Sequence, residues 1–341
     1  MDISVVIPAY NAEKYISNCL NSIIFNTFKV KEIIVVDDQS KDRTIDEVKT
    51  VKRISKIPIK IIQTPTNSGP ALARNIGAKS SLSEYIFFAD SDTCLMRDTI
   101  EKASQTILKN KNYISAVVGL YNISRDQNLI ASFKTSYYFY LLGEKGVIEY
   151  DQFSASCALI RKKDFLDVGG YDEWFKPGMD LENEELGYRL IKNKKRIFLD
   201  PDVRCNHTFP SNLKLLYLFF HRTSLWFEMY LSRRKKAAVN SVQKAGYVTL
   251  LPSILIFFFL INLILNIKYI FLVNISILII YILVNIPYFF YYSRSNLISF
   301  TKILIATFLS HLFISFGALY GLFKLIFNRS KIYKRFSSSN Q

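Results

Sequence analysis

Acidic residues are missing from the last 97 positions: every Asp and Glu lies before residue 245, whereas eight of the 44 Lys and Arg lie beyond it. That region also lacks any charge from Ala245 to Ile267, from Tyr269 to Ser293 and from Ile303 to Phe323. About 20 mostly apolar residues span the hydrocarbon core of a bilayer as a helix, so each run is long enough. Cysteine is scarce, and Cys19, Cys94, Cys157 and Cys205 form no CxxC pair and no metal-ligand spacing. Buried thiols in a reducing compartment are therefore expected. No nucleic-acid-binding motif accompanies the net charge of +16. Its bases instead flank the apolar runs, as in Arg233-Arg234-Lys235-Lys236 and the tail Arg329, Lys331, Lys334 and Arg335. That placement suits anionic headgroups and the positive-inside rule, with no nucleic-acid partner. No signal peptide precedes the first strand-like run, so the polar part is expected in the cytosol.

Short β-branched runs alternate with helical spacings through the first 90 residues. Strands are expected at Ile3–Ile7, Glu32–Val36, Ile59–Gln63 and Tyr85–Ala89, with helices over 12–25, 43–55 and 70–80 between them. This alternation implies an α/β domain whose mostly parallel sheet is covered on both faces. Further strands are expected at 115–121 and 154–160, a helix rich in acid at its start over 180–193, and a short strand at Arg196–Leu199. The stretch from Leu213 to Tyr230 is aromatic and apolar but broken by His221, Arg222 and Glu228, which suggests helices lying at a membrane interface. Two acidic clusters, Asp37-Asp38 and Asp90-Ser-Asp92, close strands, where open α/β sheets hold their ligands.

Three pieces taken in order carry a resemblance. They are Val6-Ile7-Pro8-Ala9-Tyr10-Asn11; Val35-Val36-Asp37-Asp38-Gln39-Ser40; and Asn67-Ser68-Gly69-Pro70-Ala71-Leu72-Ala73-Arg74-Asn75-Ile76-Gly77, followed by Phe88-Ala89-Asp90-Ser91-Asp92. Over about residues 1 to 210 the chain resembles the inverting family-2 glycosyltransferases, whose GT-A fold is Rossmann-like. The resemblance implies a nucleoside-diphosphate sugar (a UDP- or GDP-sugar) as donor and Mg²⁺ or Mn²⁺ as cofactor. It implies a nucleotide-sugar set of Pro8, Ala9, Tyr10, Glu13, Asp38, Arg74 and Asp90, with Asp38 on the base and Arg74 nearby. A turn or cap carboxylate is the alternative for Asp38, and plain packing for Tyr10. Asp92 is implied as the direct metal ligand, Asp90 as a ribose or metal contact and His207 as a further metal or diphosphate contact. Carboxylates alternating on an extended segment can both reach one hard cation, which then bridges to substrate phosphates.

Inversion requires a base for the acceptor hydroxyl. The family supplies the Asp of a Glu-Asp pair in E-D-x-[DE]-L-x-x-R, and this chain reads Glu182-Asn183-Glu184-Glu185-Leu186-Gly187-Tyr188-Arg189. An amide is no base. Glu182, Asp180 or Glu184 is therefore the candidate, unless the acceptor is already anionic, as a polyprenyl phosphate is. Gly169-Gly170-Tyr171-Asp172 resembles the family's loop before the acceptor site, with Asp172 and Trp174 as acceptor contacts. The Gln-x-x-Arg-Trp segment of processive relatives is replaced by Phe219-Phe-His-Arg222-Thr-Ser-Leu-Trp226, so addition of one sugar is expected.

The expected organisation is a glycosyltransferase domain over 1–210, interfacial helices over 211–244, two to three transmembrane helices over 245–327 and a basic tail over 328–341. The first two apolar runs suggest a spanning hairpin. The third carries Lys302, Ala306, Ser310, Gly317, Gly321 and Lys324 on one face, suiting close packing through Gly317-x-x-x-Gly321. The whole points to a multi-pass plasma-membrane enzyme with a cytoplasmic catalytic domain and a lipid-linked or cell-envelope glycan acceptor. A polyprenyl-phosphate glycosyl synthase and a non-catalytic sugar-nucleotide-binding subunit are the alternatives.

Overall fold

The computed structural model describes residues 1–109, 113–124, 128–233, 247–265, 268–293 and 297–337. Two compact units divide the chain: Met1–Asn122 with Leu142–Thr208, and Ile123–Leu141 with Phe209–Gln341. The boundary between Thr208 and Phe209 falls beside residue 210, but the excursion 123–141 groups with the C-terminal helices.

The first unit is built on nine strands: β1 (Ile3–Ala9), β2 (Glu32–Asp37), β3 (Ile59–Gln63), β4 (Tyr85–Ala89), β5 (Thr93–Leu95), β6 (Ala116–Tyr121), β7 (Ile148–Tyr150), β8 (Cys157–Arg161) and β9 (Ile197–His207). Their order is β3-β2-β1-β4-β8-β6-β9-β5, with β7 also on β9. Every residue of β1, β2 and β4 is buried, as expected of strands covered on both faces. β1 pairs in parallel with β2 and β4, and β2 in parallel with β3. The parallel sheet read from the first 90 residues is thus present, but beyond β4 the sheet becomes mixed: β8 runs antiparallel to β4 and β6, and β9 runs parallel to β6. The short strand expected at 196–199 is instead eleven residues long, because β9 goes on to pair with β5 as far as His207.

In this unit the helices are α1 (Ile16–Ile24), α2 (Thr44–Ile54), α3 (Pro70–Ser80), α4 (Thr99–Lys109), α6 (Lys162–Asp167) and α7 (Glu182–Lys192), with α5 (Leu129–Leu142) belonging almost wholly to the other unit. α3 lies on β1 and β2 at Gly77. A Cβ there would overlap Val6 Cγ1 and stand 3.2 Å from Val36 Cγ2, both on fully buried strands. Gly77→Ala is expected to cost about 1–3 kcal/mol by overpacking. Thermal unfolding checks this, at about 2–4 °C per kcal/mol for a domain of this size; an unchanged midpoint would mean that α3 can move off the sheet. Strand order also defines the crevice. Chain succession runs β1-β2-β3 to one side of β1 and resumes with β4 on the other, so β1/β4 is a switch point, the place where open α/β sheets hold their ligands.

The second unit holds α5, α8 (Asn212–Arg233), α9 (Leu251–Leu265), α10 (Lys268–Ser293), α11 (Leu297–Ile326) and α12 (Lys331–Ser337). Among the described residues two stretches are long and apolar enough to cross a membrane, Tyr269–Ser293 and Ser299–Ile326. The first apolar run, expected as half of a spanning hairpin, is described only as the 15-residue α9; its ends at 245–246 and 266–267 lie outside the described residues, as do Arg234, Lys235 and Lys236 of the basic cluster. Of the stretch expected to form interfacial helices, the described residues 212–233 form α8, packed on α11, and 234–244 lie outside the described residues. A Cβ on Gly317 would overlap the carbonyl oxygen of Phe220, and one on Gly321 would lie 2.6 Å from that of Ser224. Small residues admit this backbone approach. Glu228, expected to interrupt an apolar surface, is buried, where it pairs with Lys324 and accepts from Ser330 Oγ at 2.6 Å. Lys302 is exposed, off the buried face of α11 formed by Ala306, Thr307, Ser310, Gly317 and Gly321. The tail expected to be basic or flexible includes α12, with Ile332 and Phe336 buried.

Candidate active site

The loops after β1 and β2 are laced together. Asn11, at φ 49°, accepts from Lys41 N at 2.8 Å through its side chain, its own N–H donates to Ser40 Oγ at 3.0 Å, and Glu13 Oε2 accepts from Arg43 N at 3.1 Å. Asparagine tolerates this left-handed backbone better than most residues. Pro8 and Ala9 are buried inside β1, where Ala9 O accepts from Asp38 N at 2.8 Å. Tyr10, 48% exposed, follows the end of β1, and Glu13 is engaged in the loop.

Asp38 is buried and accepts from Thr64 Oγ1 at 2.7 Å, from Ser68 N at 3.0 Å and from Gly69 N at 2.7 Å. It thus clamps the turn that leads into α3. Gly69 sits there at φ 93°, a conformation that a side chain would strain.

α3 then delivers Arg74 to the centre of the unit. The guanidinium is buried and forked: Nη2 reaches Asp90 Oδ1 at 2.8 Å and Nη1 reaches Glu182 Oε1 at 3.1 Å. Burial works against its charge, but Asp90, Tyr171 and Glu182 outweigh that and hold it protonated. Residues from α3, the end of β4 and the first turn of α7 meet at one cation. Tyr171 lies under it, 5.3 Å from guanidinium carbon to ring centroid, and donates its hydroxyl to Asn183 Oδ1 at 3.0 Å. Burial pushes the Tyr171 phenol far up, so it remains a donor.

Asn183 Oδ1 accepts a second bond from Ala155 N at 3.3 Å. Both partners are donors, so a carboxylate oxygen fits where the amide oxygen sits. Asn183→Asp is therefore expected to fold normally and to leave sugar transfer unchanged or raise it; a loss above about tenfold at unchanged melting temperature would contradict this. Glu185 is committed to Arg189, with Oε1 2.9 Å and Oε2 2.8 Å from Nε. Asp180 precedes α7 at φ 43°, and Glu184 is partly exposed on its first turn. Asp172 caps a turn by accepting from Trp174 N at 3.0 Å, and the Trp174 ring meets Phe175 edge-on.

Asp92 and His207 are brought together by β5 and β9. Thr93 pairs with His207, Thr208 N donates to Asp92 O at 3.2 Å, and His207 Nε2 stands 3.4 Å from Asp92 Oδ2. Among the described residues no three His, Cys, Asp or Glu gather as a metal cluster. Asp92 and His207 form a partly exposed pair, and Asp90 is bound by Arg74. A hard divalent cation completed by diphosphate oxygens and water fits such a set.

Asn75 and Tyr171 were not singled out from the sequence, although Asn75 lies in the Ala-Arg-Asn-Ile-Gly segment. Asn75 ties the acceptor-side loop to α3, donating to Tyr171 O at 2.9 Å and accepting from Tyr171 N at 2.8 Å. All four cysteines are free, and burial pushes the Cys19 thiol well up, with Cys94, Asp92 and Asp90 adding to it.

The family model for Glycosyl transferase family 2 matches residues 4–169. An uncharacterized glycosyltransferase of Haemophilus influenzae is 38% identical over 108 residues, 32% of this chain and 43% of that one. Poly(ribitol-phosphate) beta-N-acetylglucosaminyltransferase TarS of Staphylococcus aureus is 38% identical over 110 residues, 31% of this chain and 19% of TarS. The matched region spans less than half the length of these curated relatives. The crystal structure of TarS 1–349 in complex with UDP-GlcNAc aligns with a TM-score of 0.53 at 19% identity, covering 99% of this chain and 92% of that one. Mannosyltransferase PcManGT of Pyrobaculum calidifontis, in complex with GDP-Man and Mn2+, aligns with a TM-score of 0.60 at 14% identity over 96% of this chain and 88% of that one. Similarity at such identities concerns the fold. Residues 4–169 form a glycosyl transferase family 2 domain, and the fold around them is GT-A.

Proposed function

We propose that the chain is a membrane-bound inverting glycosyltransferase that moves a sugar from a nucleoside-diphosphate sugar to a lipid-linked or cell-envelope glycan. One observation carries the reading: Arg74 joins the β4 carboxylate Asp90 to the α7 carboxylate Glu182, next to the Asp92–His207 pair at the switch point of the sheet. In this reading the donor-side carboxylate Asp90 and the acceptor-side carboxylate Glu182 meet at Arg74.

In this reading Tyr10 lies along the base, Asp38 holds the floor of the nucleotide site, and Asp92 with His207 holds Mg²⁺ or Mn²⁺. The bound cation neutralises charge on the departing nucleoside diphosphate. Glu182 accepts the proton of the acceptor hydroxyl, with Asp180 and Glu184 as its neighbours on the acceptor side. Trp174 and Asp172 border the acceptor. The spans Tyr269–Ser293 and Ser299–Ile326 hold the chain in the cell membrane, which suits an acceptor on a lipid. Support for a sugar-nucleotide donor comes from two proteins of like fold, one bound to UDP-GlcNAc and the other to GDP-Man with Mn2+. TarS, by its name a transferase acting on poly(ribitol-phosphate), supports a cell-wall glycan as acceptor class.

A second reading, a polyprenyl-phosphate glycosyl synthase, is favoured by the state of the α7 first turn. Position 183 is an amide, Glu182 is tied to Arg74 and Glu185 to Arg189. An anionic phosphate acceptor requires no base.

Radiolabelled transfer by the purified full chain with Mn²⁺, UDP- and GDP-sugars and a panel of lipid acceptors tests both. Label on a glycosylated lipid supports the leading reading, and label on bare polyprenyl phosphate the second. Donor binding with no transfer to any acceptor would leave a sugar-nucleotide-binding subunit.

A further inference from the structure

Tyr121 ends β6 in register with Cys205 of the parallel β9, two residues before His207. Its ring meets the His207 imidazole edge-on, with centroids 5.0 Å apart and planes at 62°. The backbone of His207 is meanwhile fixed on its other side by β5 through Thr93. The Tyr121 hydroxyl lies beside Ser156, and the carboxylates of Asp90 and Asp92 are close enough to act on its charge. Burial, the largest influence, pushes this phenol far above its ordinary value, so the ring stays neutral.

The χ2 torsion of a histidine is broad and poorly defined by its own covalent geometry. A ring at a strand end therefore needs a neighbour to aim it. Histidines that ligate metals are commonly aimed by hydrogen-bonding groups outside the ligand set, whose loss weakens metal binding about 10–100-fold, and a ring packed on the imidazole restricts the same torsion. Asp92 is partly exposed beside His207, whereas the Tyr121 ring packs edge-on against the imidazole.

We propose that Tyr121 is a positioning residue of the cation site, whose ring sets the His207 imidazole so that Nε2 stays beside the Asp92 carboxylate. The inference rests on the assignment of Asp92 and His207 as the cation half-site. The ring carries this role, and the hydroxyl does not.

Binding of Mn²⁺ to the full chain in detergent micelles, followed by electron paramagnetic resonance with and without UDP, is the test. Tyr121→Leu is expected to weaken Mn²⁺ about tenfold, at the lower end of such effects. Tyr121→Phe keeps the ring and is expected to bind within about twofold of the native chain. In a His207→Ala background Tyr121→Leu is expected to add nothing, because a residue acting only through His207 loses its effect with it. Should Tyr121→Leu fail to fold, Tyr121→Met, closer in volume, takes its place in the same cycle. Native Mn²⁺ binding by the Leu or Met variant, a loss in Tyr121→Phe equal to that in Tyr121→Leu, or an undiminished effect without His207 would each overturn the proposal. A native chain that binds no Mn²⁺ even with UDP would sink the half-site assignment as well, which separates the two failures.

Discussion

Asp92→Ala is expected to lower sugar transfer about 10³-fold or more while the protein stays folded. A cation on the departing diphosphate supplies several kcal/mol of charge stabilisation, and each decade of rate corresponds to about 1.4 kcal/mol. Asp92 is the carboxylate next to His207, and its side chain is 36% exposed, so the substitution leaves no cavity in the core. The melting temperature of the variant should match that of the native chain within about 2 °C. Chelation of the native enzyme by EDTA should reproduce the loss, and added Mn²⁺ should reverse it. Full activity in Asp92→Ala would overturn the cation assignment and with it the choice of Asp92 as the key ligand.

The other large effect is expected at Arg74. Arg74→Met keeps much of the volume but leaves Asp90 and Glu182 facing each other without a cation, one of them at 8% side-chain exposure. Removing one partner of a buried ion pair costs about 3–5 kcal/mol, chiefly as an uncompensated charge. Reduced thermal stability and loss of transfer should appear together. Adding Glu182→Gln to Arg74→Met should restore part of the stability, since it removes one stranded charge, but none of the transfer. Arg74→Lys should be intermediate in stability, because an ammonium supplies charge without the planar fork that reaches both carboxylates. If the double variant is no more stable than Arg74→Met alone, the ion pair is not what holds these elements together.

These experiments bear on residues whose visibility in the sequence differed. The clusters Asp37-Asp38 and Asp90-Ser-Asp92 were legible because buried strands announce themselves as β-branched runs, and the polar residues closing such runs must sit at strand ends. Arg74 was legible only as part of a family-like segment; that it would reach Glu182, 108 residues on, was not. Pro8 and Ala9, implied as nucleotide-sugar contacts by their motif, lie buried in β1. The reversal of direction at β8 escaped the alternation rule, since residues 123–141 leave the sheet for another unit and no helical crossover marks the return. In the C-terminal part, the Gly317-x-x-x-Gly321 stripe announced close packing, but its partner α8 had read as a surface element. Glu228 looked like a break in an apolar face because its ion pair with Lys324 lies 96 positions away in the chain.

Local pattern alone settled the elements of the parallel half-sheet, the two long apolar helices and the places where acids close strands, because burial on both faces or in lipid restricts which side chains are tolerated at each position. Partner choice was decided by tertiary structure: Arg74 with Asp90 and Glu182, Asp92 with His207, Tyr121 against His207, and Glu228 with Lys324. Charge and ring contacts act over a few ångströms in space, whereas sequence spacing reports neighbours only along one helix or strand.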